Sequence, residues 1–143
     1  MNALNRVLTL CLAAFCVAFT VPAPVVLSDT AAVALLRGDV LLVGDRFPSL
    51  AFQKGVLAAQ RAGVAHVRVL TSAANARNMR PLANVGAKVY TLPARLSGAL
   101  VIVRNTAVLY RNKAGWTVLR DAQGARSAEA SLSAYWSRAT PLR

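Results

Sequence analysis

The sequence predicts an α/β fold: one small domain built on a mixed β-sheet flanked by helices. Three observations carry that expectation. Apolar, strand-length runs alternate with helix-length segments as far as residue 92, which is the pattern of parallel strands joined by crossover helices. From residue 98 the rhythm changes to three short apolar runs with connections of only two and three residues, which reads as an antiparallel meander. Finally, 143 residues leave room for a single domain once the N-terminal segment is set aside.

That segment comes first. Residues 1–6 carry Arg6 and the start amine, and residues 7–27 (VLTLCLAAFCVAFTVPAPVVL) carry no charge, the layout of a secretory signal. Small residues at Cys16 and Ala18, and at Val21 and Ala23, offer two cleavage points. An uncleaved inner-membrane anchor is the rival reading, since 21 uncharged residues also suffice to cross a bilayer. Residues 1–27 are therefore taken as signal or anchor, residues 28–143 as the domain, and the protein as exported, either periplasmic or secreted.

Within the domain, Ser28 caps a short helix over 30–36, ended by Gly38. Residues 39–44 (DVLLVG) form a continuous apolar run and hence a buried strand. Pro48 and Ser49 open a helix to Ala62, with Ala51, Phe52, Val56 and Ala59 on one face. Leu50 and Leu57 fall on its polar side, which suggests cover on both faces. A second strand follows at 66–71 (HVRVLT), then a helix over 75–85 that contains Pro81, then a third strand at 88–92 (KVYTL). The meander occupies 98–104, 107–112 and 116–121. A turn at 121–124 leads to a last helix over 127–138, which docks through Ala128, Leu132, Tyr135 and Trp136.

Charge narrows the partners. Of 17 basic residues, all but Arg6 lie in the domain, against five acids, an excess of 11. Such a surface favours anionic partners: nucleic acid, anionic lipid or an envelope polymer. The charges are spread along the chain, so a basic surface that serves solubility fits the same composition. Arg77 and Arg80, three apart on a helix in the most polar connection (75–80, NARNMR), are candidate phosphate ligands, with a solvated helix face as the alternative.

Several chemistries lack their residues. Both cysteines, Cys11 and Cys16, lie in the N-terminal segment, so the domain has no thiol chemistry. His66 is the single histidine and the acids are Asp29, Asp39, Asp45, Asp121 and Glu129, so no metal site is expected. A triad would need His66 with a serine and Asp45, and no serine sits in a nucleophile-elbow pattern. Neither G-x-G-x-x-G nor a P-loop is present, and no cofactor is expected.

Three stretches carry a family resemblance. Residues 63–70 (GVAHVRVL), 82–90 (LANVGAKVY) and 99–112 (ALVIVRNTAVLYRN) are similar, in that order, to the turn into the second strand, the third strand, and the active-site strand pair of the phospholipase D superfamily, in particular its small exported endonucleases. The resemblance spans residues 28–138 and implies a single phospholipase D-like unit. The family's motif, H-x-K-x4-D-x6-G-S-x-N, uses histidine to attack phosphorus and lysine to hold the phosphate oxygens. Laid on this chain, that spacing falls on Ser97, Ala99, Arg104, Arg111, Asn112 and Ala114, none of them the required residue. The resemblance thus implies a pseudoenzyme that binds phosphodiester-containing or other polyanionic ligands, or a structural partner. The alternative is a phosphodiesterase that uses other residues. Arg104 and Arg111 end the two hairpin strands and are expected to bind phosphate together if they lie near one another; both pointing to solvent is the other reading. Because family members with one motif per chain pair up, the resemblance also implies a homodimer or a pairing with another phospholipase D-like chain.

Overall fold

The computed structural model describes residues 24–47 and 49–143, so the signal or anchor reading of residues 1–23 lies outside the described residues. A short strand, β1 (Val25–Leu27), precedes helix α1 (Asp29–Val33), where Ser28 Oγ accepts from Ala31 N at 3.2 Å. Then come β2 (Gly38–Gly44), α2 (Leu50–Arg61), β3 (Ala65–Ser72), a 3-10 turn (Ala73–Asn75), α3 (Ala76–Asn84) and β4 (Lys88–Leu92). The second half holds β5 (Ala99–Val103), β6 (Ala107–Arg111), β7 (Trp116–Leu119), α4 (Ala122–Ser131), α5 (Ser133–Trp136) and β8 (Thr140–Pro141).

Among the described residues, eight strands form one mixed sheet in the order β1-β7-β6-β5-β2-β3-β4-β8. β2, β3 and β4 are parallel, as the alternating pattern requires, and β5, β6 and β7 form the antiparallel meander. The two halves join where β5 pairs antiparallel with β2, Ala99 opposite Gly44 and Val103 opposite Val40. Continuous apolar runs in β2 and β5 are explained by their central place, since both faces of each strand are covered.

The helices divide between those faces. α1, α2 and α3 cover one, over a core that includes Val40, Leu42, Phe52, Val56, Val101, Leu109 and Trp116. α4 and α5 cover the other, over Leu41, Val43, Leu100, Ile102 and Val108. Trp116 anchors the first core. It is fully buried, its ring lies 4.7 Å from that of Phe52, and its Nε1 donates to Asp29 Oδ1 at 2.8 Å. Burying an aromatic side chain of this size stabilises the fold by about 3 kcal/mol.

Some boundaries differ from the sequence reading. Residues 25–27, counted there with the N-terminal segment, form the edge strand β1 and pair with β7, Leu27 opposite Trp116. The turn expected at 121–124 is the start of a helix: Asp121 accepts from Gln123 N and Gly124 N at 3.1 and 2.9 Å, capping α4. Gly124 is buried there, so it serves packing rather than a turn. The single helix expected over 127–138 is two, divided at Leu132. Leu50, expected to be covered, is 65% exposed.

An ionic network fastens α4 to the sheet. Glu129 Oε1 accepts from Arg68 Nη2 at 2.7 Å and Arg104 Nη2 at 3.0 Å, while Arg104 Nη1 donates to Asp39 Oδ2 at 2.8 Å. Arg68 also lies over the Trp136 ring, 5.6 Å from its centroid. The hydrogen bond from Arg104, helped by the one from Arg68 and by both charges, holds the Glu129 carboxyl below its ordinary range against the opposing effect of burial. A lowered folded-state value means that the network stabilises fully above the ordinary glutamate range, and that this contribution is lost as pH falls through the lowered value. Glu129→Gln is therefore expected to cost about 1 kcal/mol at neutral pH, because solvent screens a network this exposed, and almost nothing at a pH below the lowered value. Urea unfolding of both proteins at the two pH values checks it; a penalty that persists in acid would show that packing, not charge, is lost.

Candidate functional site

Four strand ends meet at one end of the sheet. β2 and β3 are parallel, so their C-termini lie side by side; β5 begins there, antiparallel to β2, and β6 returns there to end at Arg111. The loops beyond these ends enclose a cleft of about 1050 Å³. Ligands in α/β sheets bind at such a place, beyond the carboxyl ends of strands whose connections diverge. Its floor depends on Gly44, whose φ is +132°: a Cβ there would stand 2.1 Å from Gly98 O, so only glycine lets β2 and the approach to β5 pass so closely.

Asp45 ties the floor together. Its Oδ1 accepts from Thr71 Oγ1 at 3.0 Å and Ser72 N at 2.8 Å, and its Oδ2 accepts from Ser72 Oγ at 2.8 Å and Leu96 N at 3.1 Å. One carboxylate thus joins the ends of β2 and β3 to the loop before β5. The chain of bonds continues outward: Asn75 Nδ2 donates to Thr71 Oγ1 at 2.9 Å, and Asn78 Nδ2 to Asn75 Oδ1 at 2.8 Å.

Cations dominate the walls. Arg46, Arg77, Arg111 and Lys113 line the cleft, while the acid among its lining residues, Asp45, is engaged as just described. Arg111 is braced from behind. Its Nε stands 3.6 Å from Asp29 Oδ1, is buried and has no hydrogen-bond partner among the described residues, and its Nη1 donates to the Asn112 carbonyl. Asp29 in turn is fixed by Trp116 Nε1. An arginine held this way keeps its fork orientation at little entropic cost, which suits it to a phosphate or carboxylate. Among the described residues no three His, Cys, Asp or Glu side chains gather as metal ligands would.

The motif positions separate. Ala99 and Asn112 line the cleft with Arg111. Asn112 is also occupied in the β6–β7 turn, where its Oδ1 accepts from Ala114 N and Gly115 N and its Nδ2 donates to Thr117 Oγ1 at 2.8 Å. Ser97 lies exposed in the loop before β5, and Ala114 is exposed in that turn. Arg104 does not join Arg111. Successive ends of an antiparallel hairpin lie at opposite ends of the sheet, here about 17 Å apart, and the two side chains take opposite faces, Arg104 toward Glu129 and Arg111 toward Asp29. Of the other arginine pair, Arg77 lines the cleft, whereas Arg80 is exposed and outside its lining. His66 sits exposed at the far end of the sheet in register with Asp39, about 20 Å from Asp45 along β2, too far to form a triad. Two strand aromatics are used in packing, Trp116 on Phe52 and Tyr90 edge-on to Trp136 at 5.2 Å.

No protein-family model matches the sequence, and no curated protein sequence matches it. Solved structures do. Nuc from Salmonella typhimurium, a phospholipase D family member, superposes with a TM-score of 0.64 at 17% identity over 80% of this chain and 88% of that one. The fold is phospholipase D-like. TrmBL2, an archaeal chromatin protein with a novel mode of DNA binding, is similar with a TM-score of 0.63 at 14% identity. That match covers 96% of this chain, which spans 61% of TrmBL2. The phospholipase D-like unit shares with Nuc an architecture, so the chemistry of its cleft rests on its own residues. Among these, Arg46 and Lys113 escaped the sequence reading: Arg46 lies two residues past the end of β2, and Lys113 in the turn between β6 and β7.

Proposed function

We propose that the domain binds phosphodiester-containing polyanions in the cleft at the ends of β2 and β3 and does not hydrolyse them. The observation that carries this reading is the cleft lining: four cationic side chains beside Ala99, which stands where the family resemblance calls for a lysine. Arginine and lysine hold phosphate oxygens, whereas a methyl group offers none of the charge that the family's transfer chemistry needs. Nucleic acid is the preferred polyanion, a choice supported by the DNA binding named for TrmBL2 and by the excess of 11 basic charges. Export to the periplasm or the medium, with an inner-membrane anchor as the alternative, belongs to the same proposal and rests on the uncharged residues 7–27.

A salt titration of duplex DNA binding by the full chain tests it. If the four cleft cations each neutralise one phosphate, the logarithm of the binding constant should fall with the logarithm of salt at a slope near −3.5. Anionic vesicles, titrated in parallel, should bind more weakly than DNA. Binding that is absent at low ionic strength, or indifferent to salt, defeats the proposal and favours a structural-partner role. Hydrolysis of a chromogenic phosphodiester that copurifies with the protein defeats its non-catalytic part.

A further inference from the structure

A second cavity, of about 170 Å³, lies between α2 and α3. Its floor is apolar, formed by Leu42, Phe52 and Val56, and Leu82 and the half-buried Leu57 close its sides. It is no isolated packing defect. Phe47, Gln53, Asn78, Met79 and Pro81 line both this cavity and the cationic cleft, so the two spaces share a wall. Both amides in that wall are held: Gln53 Nε2 donates to Phe47 O at 3.2 Å, and Asn78 Nδ2 to Asn75 Oδ1 at 2.8 Å. Well-packed interiors leave few hollows larger than a water molecule, and an apolar cavity of about 150 Å³ is enough to take up a benzene ring.

We propose that cleft and cavity form one two-part site for a phosphate ester that bears a compact apolar group, a single aromatic ring or an alkyl group of about six carbons. The phosphate lies against Arg77 and Arg111, and the apolar group enters between Phe47 and Met79. This rests on the phosphate-binding reading of the cleft and adds, beside polyanions, a class of small ester held by the same arginines. Polyanion charge alone gives no use for an apolar hollow beside the arginines, whereas an ester of this kind satisfies both halves. Lys54 on α2 also lines the cavity, away from the wall that it shares with the cleft.

Calorimetry with phenyl phosphate and methyl phosphate, which carry similar charge, tests the proposal on the full chain. Phenyl phosphate should bind at least about tenfold tighter, because only its ring fills the apolar half. Leu57→Trp, which fills the cavity from its half-buried side, should erase that difference while leaving methyl phosphate affinity unchanged; Leu82→Phe should do the same from α3. Equal affinity of the two esters for the unmodified protein, or a preference that survives both substitutions, overturns the two-part site while leaving phosphate binding intact. Failure of both esters to bind refutes the phosphate reading itself, and the two-part site with it.

Discussion

Replacing Asp45 by alanine is expected to lower the unfolding free energy by about 3–5 kcal/mol. The carboxylate accepts four hydrogen bonds, two of them from backbone amides, and the donors belong to two separate segments of the chain, so Asp45 joins three. Thr71 and Ser72 are fully buried, so water does not simply take the place of the lost acceptor. Each stranded donor costs about 1–3 kcal/mol, and relaxation of the loop before β5 recovers part of the total. Asp45→Asn keeps the shape but turns an NH₂ group against one pair of donors, so it should cost about 2–3 kcal/mol. Urea denaturation with an unchanged slope and a lowered midpoint measures both. A loss under about 1 kcal/mol for alanine would mean that the strand ends are held by packing alone.

The same residue shows what the sequence made legible. Parallel strands, crossover helices and meander follow from runs of four to eight apolar residues punctuated by glycine, a local pattern set by burial on both faces. Strands of two and three residues such as β8 and β1 carry no such pattern, because pairing with β4 and β7 rather than any intrinsic tendency makes them strands. Gly124 misled for a related reason: next to Asp121 it resembles a turn, yet the cap bonds and close packing on the sheet select a helix. The candidate site was legible only in part. Arg77, Arg111, Ala99 and Asn112 were reached through motif spacing and helix position, and they do line the cleft. Arg104 and Arg111, left open by the sequence to share a phosphate or to face solvent, do not share one, because hairpin geometry carries successive strand ends apart and side-chain parity sends them to opposite faces. Asp45 was weighed only as a triad member, since its bonds to residues 71, 72 and 96 are long-range and leave no local trace in the chain.

That division of the arginines gives the sharpest functional test. Arg77 and Arg111 line the cleft, while Arg104 is spent on Glu129 and Asp39 at the other end of the sheet. Removing both cleft arginines, as Arg77→Gln with Arg111→Gln, is expected to lower duplex DNA affinity about 100-fold at low salt and to flatten the salt slope by roughly two units, because each lost phosphate contact releases one condensed cation fewer. Arg77→Gln alone should account for about one unit without structural cost, since Arg77 is exposed on α3. Arg111→Gln loosens the Asp29 pair but leaves Asp29 bonded to Trp116, so its effect on stability should stay below about 1 kcal/mol. Arg104→Gln is the opposite case: the formal charge changes equally, yet the slope should hold and the loss should appear as about 1 kcal/mol of stability through the α4 network. The comparison separates a located site from a diffuse basic surface. If all three arginines flatten the slope alike, the cleft is not where polyanions bind; if only Arg77 and Arg111 do, the converging strand ends are.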